Sequence, residues 1–109
     1  YSQAIEYNGV LYVSGQIPVN PESGAVEAET IEGQAEQSLK NVGAILKESG
    51  LTYENVLKTT CFIADMGDFA KFNEVYAKYF KEDAPARSCV AVKDLPKGVL
   101  CEVEVVAGK

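Results

Sequence analysis

The chain contains one arginine, Arg87, and it lies in a segment whose composition favours a β-strand. The surrounding residues 86–92 are mostly small or β-branched, which predicts a buried strand. A guanidinium group is planar and permanently charged, so it can hold a carboxylate through two parallel hydrogen bonds, which a lysine cannot do. Arg87 is therefore a candidate for binding a carboxylate ligand. The alternative is a structural ion pair with a nearby Asp or Glu.

Two carboxylates near the end of the chain, Glu102 and Glu104, are candidates for acid-base chemistry. Alternation with a period of two places them on one face of a predicted strand, opposite a row of apolar residues. If the last two strands form a hairpin, Arg87 and Cys89 share the face of both carboxylates. A one-residue shift of register separates them. The sequence thus leaves open a closed ion pair or an anion site with one carboxylate free to act on water.

The residue types that are missing exclude several kinds of catalysis. The chain has no histidine, which excludes Ser-His-Asp and Cys-His catalysis, the usual zinc sites and a histidine base. Its glycines form neither a dinucleotide-binding fingerprint nor a phosphate-binding loop. We therefore expect chemistry without a cofactor or a metal. Cys89 is a poor candidate nucleophile because nothing basic beside it could form the thiolate.

Length and charge limit the class of protein. A chain of 109 residues accommodates one domain, residues 1–109. The net charge of −6 opposes binding to nucleic acid, and no segment has the length or the flanking residues of a membrane span or a secretory signal. Three cysteines in apolar runs predict buried free thiols and a cytoplasmic protein: Cys61, Cys89 and Cys101.

The elements that must position these residues follow from changes in periodicity. Asn8-Gly9 predicts a hairpin turn between strands at residues 2–7 and 10–16. An apolar stripe over residues 30–49 predicts an amphipathic helix that Gly50 can end in the left-handed conformation.

In the second half of the chain, strand-like and helix-like periodicities also follow one another. We expect a strand at residues 56–64, a helix that Asp68 caps, the Arg87 strand and a last strand at residues 99–107. The predicted order is ββαβαββ, an α+β mixed sheet with two helices on one face and a right-handed parallel crossover over residues 56–92. Apolar residues on the other face predict burial against another subunit.

Six short motifs are distributed over essentially all of the chain: Tyr1-Ser2-Gln3-Ala4, Ser14-Gly15-Gln16-Ile17-Pro18, Asp68-Phe69 to Tyr76, Pro85-Ala86-Arg87-Ser88-Cys89-Val90, Leu95-Pro96 and Glu102-Val103-Glu104. Together they resemble the RidA family, the reactive intermediate deaminases that are also called YjgF proteins. The Arg-Ser-Cys segment is typical of members that retain deaminase activity, so the resemblance is to the RidA subgroup.

This resemblance implies a chorismate-mutase-like fold and a homotrimer with three clefts between subunits. It implies a 2-iminobutanoate/2-iminopropanoate deaminase, which hydrolyses 2-aminoacrylate or 2-iminobutyrate to the 2-keto acid and ammonia. By the same resemblance, Arg87 clamps the substrate carboxylate, the Cys89 backbone holds the imine nitrogen, and Glu102 activates the attacking water. Three further positions match residues that line the cleft: Tyr1, Gly15 and Asn73.

A second hypothesis belongs to a different class, a non-catalytic trimer that binds small acids in the same clefts and acts as a sensor or regulator. Members of the family have also been described as translation inhibitors with ribonuclease activity and as redox-activated chaperones. The acidic net charge and the absence of histidine argue against RNA cleavage.

Overall fold

The structure, a computed structural model, describes all 109 residues. Its helices and strands are, in chain order, β1 (Ala4–Tyr7), β2 (Val10–Gln16), α1 (Ile31–Glu48), β3 (Val56–Ile63), α2 (Phe69–Tyr79), β4 (Ala86–Ala91) and β5 (Cys101–Gly108). Short 3-10 helices precede β3, α2 and β5. The predicted ββαβαββ order and the α+β class are therefore confirmed.

Local signals explain most of the element boundaries. Asn8 and Gly9 both have positive φ, 50° and 78°, as the predicted hairpin turn requires. The Thr30 side chain caps α1 by accepting a hydrogen bond from the Gly33 backbone N–H (3.1 Å). Gly50 follows α1 with a φ of 76°, which confirms the predicted left-handed residue after the helix.

The predicted N-cap position of α2, Asp68, is confirmed, although the capping hydrogen bond is absent. A 3-10 turn, Met66–Asp68, precedes the helix, and Asp65 caps that turn by accepting from the Gly67 N–H (2.8 Å). The cap therefore acts one turn earlier than the sequence pattern indicates.

The sheet order is β1-β2-β5-β3-β4, and all pairs are antiparallel except β3 with β4. The hairpin considered for the last two strands does not form, because β3 lies between β4 and β5. The crossover through α2 brings β4 back parallel to β3 at the edge of the sheet. Strand β5 then takes the central position, where one complete face of the strand is buried.

The core lies between this buried sheet face and the two helices. Ser38 of α1 approaches Cys101 of β5, and Tyr76 of α2 approaches Thr59 of β3. Cys101 and Thr59 are on the same face of the sheet, so both helices cover that face. Neither helix has the length and apolar character needed to cross a membrane.

The opposite face of the sheet carries large apolar side chains that the chain leaves exposed. Ile5, Tyr7, Tyr12 and Val90 are each at least 45% exposed, and the pairing of β1 with β2 and the alternation along β4 place them on this face. We call it the open face. Exposed apolar surface of this kind favours association, so burial of the open face against another subunit stays a prediction.

Candidate functional site

Arg87 is held by one face of α2. Its Nη1 donates a hydrogen bond to Asn73 Oδ1 (2.7 Å). The guanidinium carbon lies 4.5 Å from the centre of the Tyr76 ring and 5.4 Å from that of Phe69. Positions 69, 73 and 76 are spaced i, i+4 and i+7, so they form one stripe along the helix. The stripe makes a slot for a planar cation, with two aromatic walls and one acceptor.

No carboxylate in the chain pairs with Arg87. The one ion pair is between Lys109 and Glu6, 2.8 Å apart, at the surface. The structural ion pair considered as an alternative for Arg87 is therefore absent from the chain. Nε and Nη2 of the half-buried Arg87 have no hydrogen-bond partner in the chain. Since every fully buried side-chain nitrogen has a partner, these two atoms are open to solvent. These two atoms form one edge of the guanidinium fork, which suits a carboxylate.

The expectation of a buried Arg87 strand is wrong, because β4 is an edge strand and none of its residues is fully buried. The Val92 N–H donates to the Ile63 carbonyl oxygen of β3 (3.0 Å). Since backbone groups alternate in direction along a strand, those of Arg87 and Cys89 point away from β3. The Cys89 N–H and C=O therefore lie at a free edge beside the guanidinium group.

The three cysteines differ in burial. Cys61 and Cys101 are buried as predicted, and burial raises the pKa of each thiol to about 12. Cys89 is only half-buried, because its strand forms the edge of the sheet. Burial still raises the pKa of the Cys89 thiol, against the opposing effect of Arg87. A thiol of this kind is a poor nucleophile, as the sequence indicates.

Glu102 lies on the open face beside Gly15. Strand β2 has a bulge between Val13 and Gln16, which brings the Gly15 backbone so close that a Cβ there would collide with the Glu102 carboxylate. Burial, and then the charge of Glu104, raises the pKa of Glu102. The predicted sharing of one strand face by the two carboxylates is confirmed. A raised pKa makes Glu102 a better proton acceptor near neutral pH.

The expectation that Arg87, Cys89, Glu102 and Glu104 share one face is wrong. Arg87 pairs with Thr59, on the helix-covered face, whereas Glu102 pairs with Phe62, on the open face. Strands β4 and β5 both flank β3, so their backbones are about 9–10 Å apart. One chain therefore does not bring the guanidinium and the carboxylate to one ligand.

The predicted site residues form two groups. The first, which we call the arginine group, contains Arg87, Asn73 and the Cys89 backbone. The second, the glutamate group, contains Glu102 and Gly15. Tyr1 and Gly15 also line a cavity of about 420 Å³ between α1 and the segment after β2, which neither Arg87 nor Glu102 lines.

Two aromatic residues around Arg87 were not among the site residues predicted from the sequence. Tyr76 is buried and contributes to the core, yet its ring also faces the guanidinium group. Phe69 is partly buried and forms the second wall of the slot. The signal in the sequence that could have identified Phe69 and Tyr76 is their i, i+4, i+7 spacing with Asn73, which puts all three on one side of α2.

Comparison with known proteins agrees with this fold. A sequence profile of the family described as Endoribonuclease L-PSP matches residues 1–109. The putative regulator AldR of Lactococcus lactis is 50% identical over 107 residues, which are 98% of this chain and 85% of the relative. The chloroplastic Reactive Intermediate Deaminase A of Arabidopsis thaliana is 48% identical over 107 residues, 98% of this chain and 57% of the relative.

A solved structure of Escherichia coli TdcF with bound serine has a TM-score of 0.95 and 43% identity, and the match covers 100% of this chain and 87% of TdcF. Such likeness to solved structures confirms the predicted chorismate-mutase-like α+β fold. The chain therefore belongs to the endoribonuclease L-PSP family, the RidA or YjgF family that its motifs resemble.

Proposed function

We propose that the protein is a hydrolytic deaminase of 2-imino acids such as 2-iminobutyrate and the imine tautomer of 2-aminoacrylate. Water adds to C2 of the protonated imine, the C–N bond breaks, and the products are a 2-keto acid and ammonium. No electrons are transferred, so the reaction needs positioning and a proton acceptor rather than a redox cofactor. The deaminase name of the Arabidopsis relative supports this reaction class.

The observation that carries the proposal is the unpaired guanidinium edge of Arg87. The arginine is half-buried, and its only hydrogen-bond partner is a neutral amide. A partly desolvated cation without a carboxylate partner attracts a small anion, and the open Nε and Nη2 edge matches a carboxylate in shape. The serine bound to TdcF carries the same α-carboxylate that a 2-imino acid carries.

The reaction also needs Glu102, and we propose that it comes from a second copy of the chain. The arginine group and the glutamate group lie on opposite sheet faces within one chain. The open face is apolar and exposed, which favours association through it. In the proposed homotrimer, the glutamate group of one subunit meets the arginine group of its neighbour in each of three clefts.

Each residue of the cleft then has a chemical task. Arg87 orients the substrate carboxylate, and the outward carbonyl of Cys89 accepts a hydrogen bond from the imine nitrogen. Glu102 takes a proton from the attacking water, since its raised pKa brings it closer to neutral pH. It returns this proton to the nitrogen before the C–N bond breaks, and the hydroxyl proton that is lost as the keto group forms converts the departing ammonia to ammonium. Tyr1, Gly15 and Asn73 complete the lining of the cleft.

Mixed trimers test the shared site. Arg87→Lys and Glu102→Gln chains are co-expressed in equal amounts, and ammonia release from freshly generated 2-iminobutyrate is measured. Each variant alone is expected to be nearly inactive. Random mixing restores about one quarter of the sites, because an intact site needs the correct residue from each of two neighbours. Assembled mixed trimers that recover no activity contradict a site between subunits.

A matched control mixes wild-type chains with the Arg87→Lys/Glu102→Gln double variant. Sites between subunits retain about one quarter of the full activity, whereas sites within one chain retain about one half. If wild-type trimers release ammonia no faster than the imine does in water, the deaminase proposal fails.

A regulatory protein that binds small acids is the second candidate, and the name of the Lactococcus relative favours it. It uses the same arginine group but does not need Glu102 as a base. Such a protein binds 2-keto acids without turnover of the imine, so the same ammonia assay separates the two. The acidic net charge of −6 argues against the ribonuclease activity in the family's description.

A further inference from the structure

We propose that Tyr76 is a positioning residue whose ring fixes the plane of the Arg87 guanidinium group in the orientation that binds a carboxylate. The inference rests on the proposed function in that it deepens the role of Arg87. It concerns a residue of the hydrophobic core that the motifs of the chain do not assign to the ligand.

The contacts around Arg87 restrain it in two different ways. The Tyr76 ring lies 4.5 Å from the guanidinium carbon and the Phe69 ring 5.4 Å, so the cation is held against aromatic faces. The hydrogen bond from Nη1 to Asn73 Oδ1, 2.7 Å long, restricts rotation within the plane. Together these contacts leave the Nε and Nη2 edge in one orientation.

A hydrogen bond to strand β3 holds the Tyr76 ring in place. Its hydroxyl is hydrogen-bonded to the Thr59 hydroxyl at 2.8 Å, and Thr59 is completely buried. Thr59 is also the residue directly opposite Arg87 in the pairing of β3 with β4. The hydrogen bond between the two hydroxyls therefore ties the Tyr76 ring to Thr59, the neighbour of Arg87 across the sheet. This fixes the position of the ring relative to the Arg87 guanidinium group.

Neighbouring rings complete this support. Phe80 lies 4.7 Å and Phe72 6.2 Å from the Tyr76 ring, measured between ring centres. Tyr76 is 6% exposed, so nearly all of its surface is packed. This packing keeps the Tyr76 ring in one orientation when a ligand binds.

Fixing an arginine before the ligand binds increases affinity. A free arginine side chain loses rotamer freedom when it binds, and this loss opposes binding. A guanidinium group already held in its bound orientation avoids most of that cost, and its planar fork donates two aligned hydrogen bonds to a carboxylate. We expect removal of the ring to weaken carboxylate binding by roughly tenfold.

The test compares three variants of the full chain, with 2-ketobutyrate as the probe of binding. Tyr76→Leu removes the ring, Tyr76→Phe keeps the ring but removes the hydroxyl, and Tyr79→Leu is the matched control. Tyr79 lies on the same helix but packs against Tyr53, with ring centres 5.1 Å apart. Affinity is measured by calorimetry, melting temperature by circular dichroism, and KM and kcat by ammonia release.

We expect Tyr76→Leu to raise both Kd and KM roughly tenfold and to change kcat less than about threefold, because Glu102 is untouched. Tyr76→Phe is expected to lower the melting temperature but to keep Kd within about threefold, since the ring remains. Tyr79→Leu is expected to lower the melting temperature with unchanged Kd. In an Arg87→Lys background, Tyr76→Leu should weaken binding no further.

Three results overturn the inference. The first is wild-type affinity in a folded Tyr76→Leu variant, and the second is an equal loss of affinity in the Tyr76→Leu and Tyr79→Leu variants. The third is a wild-type protein that does not bind 2-ketobutyrate, because Arg87 is then not a carboxylate site. If the binding results are as expected but the wild type releases no ammonia, the positioning role stands and only the deaminase proposal fails.

Discussion

Replacement of Arg87 by lysine distinguishes a ligand-binding arginine from a structural one. Lysine keeps the positive charge but lacks the planar fork. In the folded chain, Arg87 makes one hydrogen bond, to Asn73, and no ion pair. A substitution that keeps the charge therefore removes little that stabilises the fold, whereas it removes the edge that binds a carboxylate.

The expected loss of carboxylate affinity is larger than the expected loss of stability. Hydrogen bonds to charged groups contribute about 1.5–3 kcal/mol each, and lysine can retain only one of the two that the fork makes. The lost bond corresponds to a decrease in carboxylate affinity of roughly 10- to 150-fold. The hydrogen bond to Asn73 also involves the charged group, but it is only partly buried and a lysine ammonium can donate to Asn73 in its place. The substitution therefore costs about 1 kcal/mol of unfolding free energy, or a decrease in melting temperature of about 5 °C.

Calorimetric titration with 2-ketobutyrate and thermal denaturation, both on the same Arg87→Lys preparation, measure these effects. The uncharged amide of 2-ketobutyrate serves as the ligand control, because the fork gives it no charge-assisted bonds and the variant should not discriminate against it. A structural ion pair predicts the opposite pattern, since breaking a buried pair costs about 3–5 kcal/mol of stability. An Arg87→Lys variant that is destabilised to this extent but binds 2-ketobutyrate normally shows that the arginine is structural.

Four further predictions concern the glutamate group and the assembly. Because the open face is apolar, the protein should sediment as a trimer at micromolar concentration, and a monomer would remove the proposed cleft. Glu102→Gln cannot accept a proton, so hydrolysis should fall roughly a hundredfold while the Kd of 2-ketobutyrate is kept; normal turnover would make the residue structural. Burial and the charge of Glu104 raise the pKa of Glu102 above its ordinary value of 4.5, and the ionised form is the base. The kcat/KM should therefore decline as pH falls through a midpoint above 4.5, and a midpoint at or below that value would contradict the role. Gly15→Ala places a Cβ against the Glu102 carboxylate, so kcat should decrease with little change in melting temperature, and an unchanged kcat would show that the carboxylate position is not critical.

Local patterns were sufficient to predict most of the elements of this protein. The Asn8-Gly9 turn, the apolar stripe of α1 and the alternation along β5 each depend on residues that are near one another in the chain. Backbone conformation and burial of one face act over these short distances, so the order ββαβαββ follows from the pattern. The motifs around Arg87 and Glu102 were likewise sufficient to identify the family.

The strand order could be learned only from the folded chain. Whether β5 pairs with β4 or enters between β2 and β3 depends on the total apolar area buried by the whole sheet, which no single segment contains. That choice places Arg87 on the helix-covered face and Glu102 on the open face. It also brings Tyr76 from α2 under the guanidinium group, a contact between elements that no spacing within β4 reveals. The division of the site into two groups is therefore a consequence of long-range packing, because side chains on opposite faces of one sheet cannot contact the same ligand without a second chain.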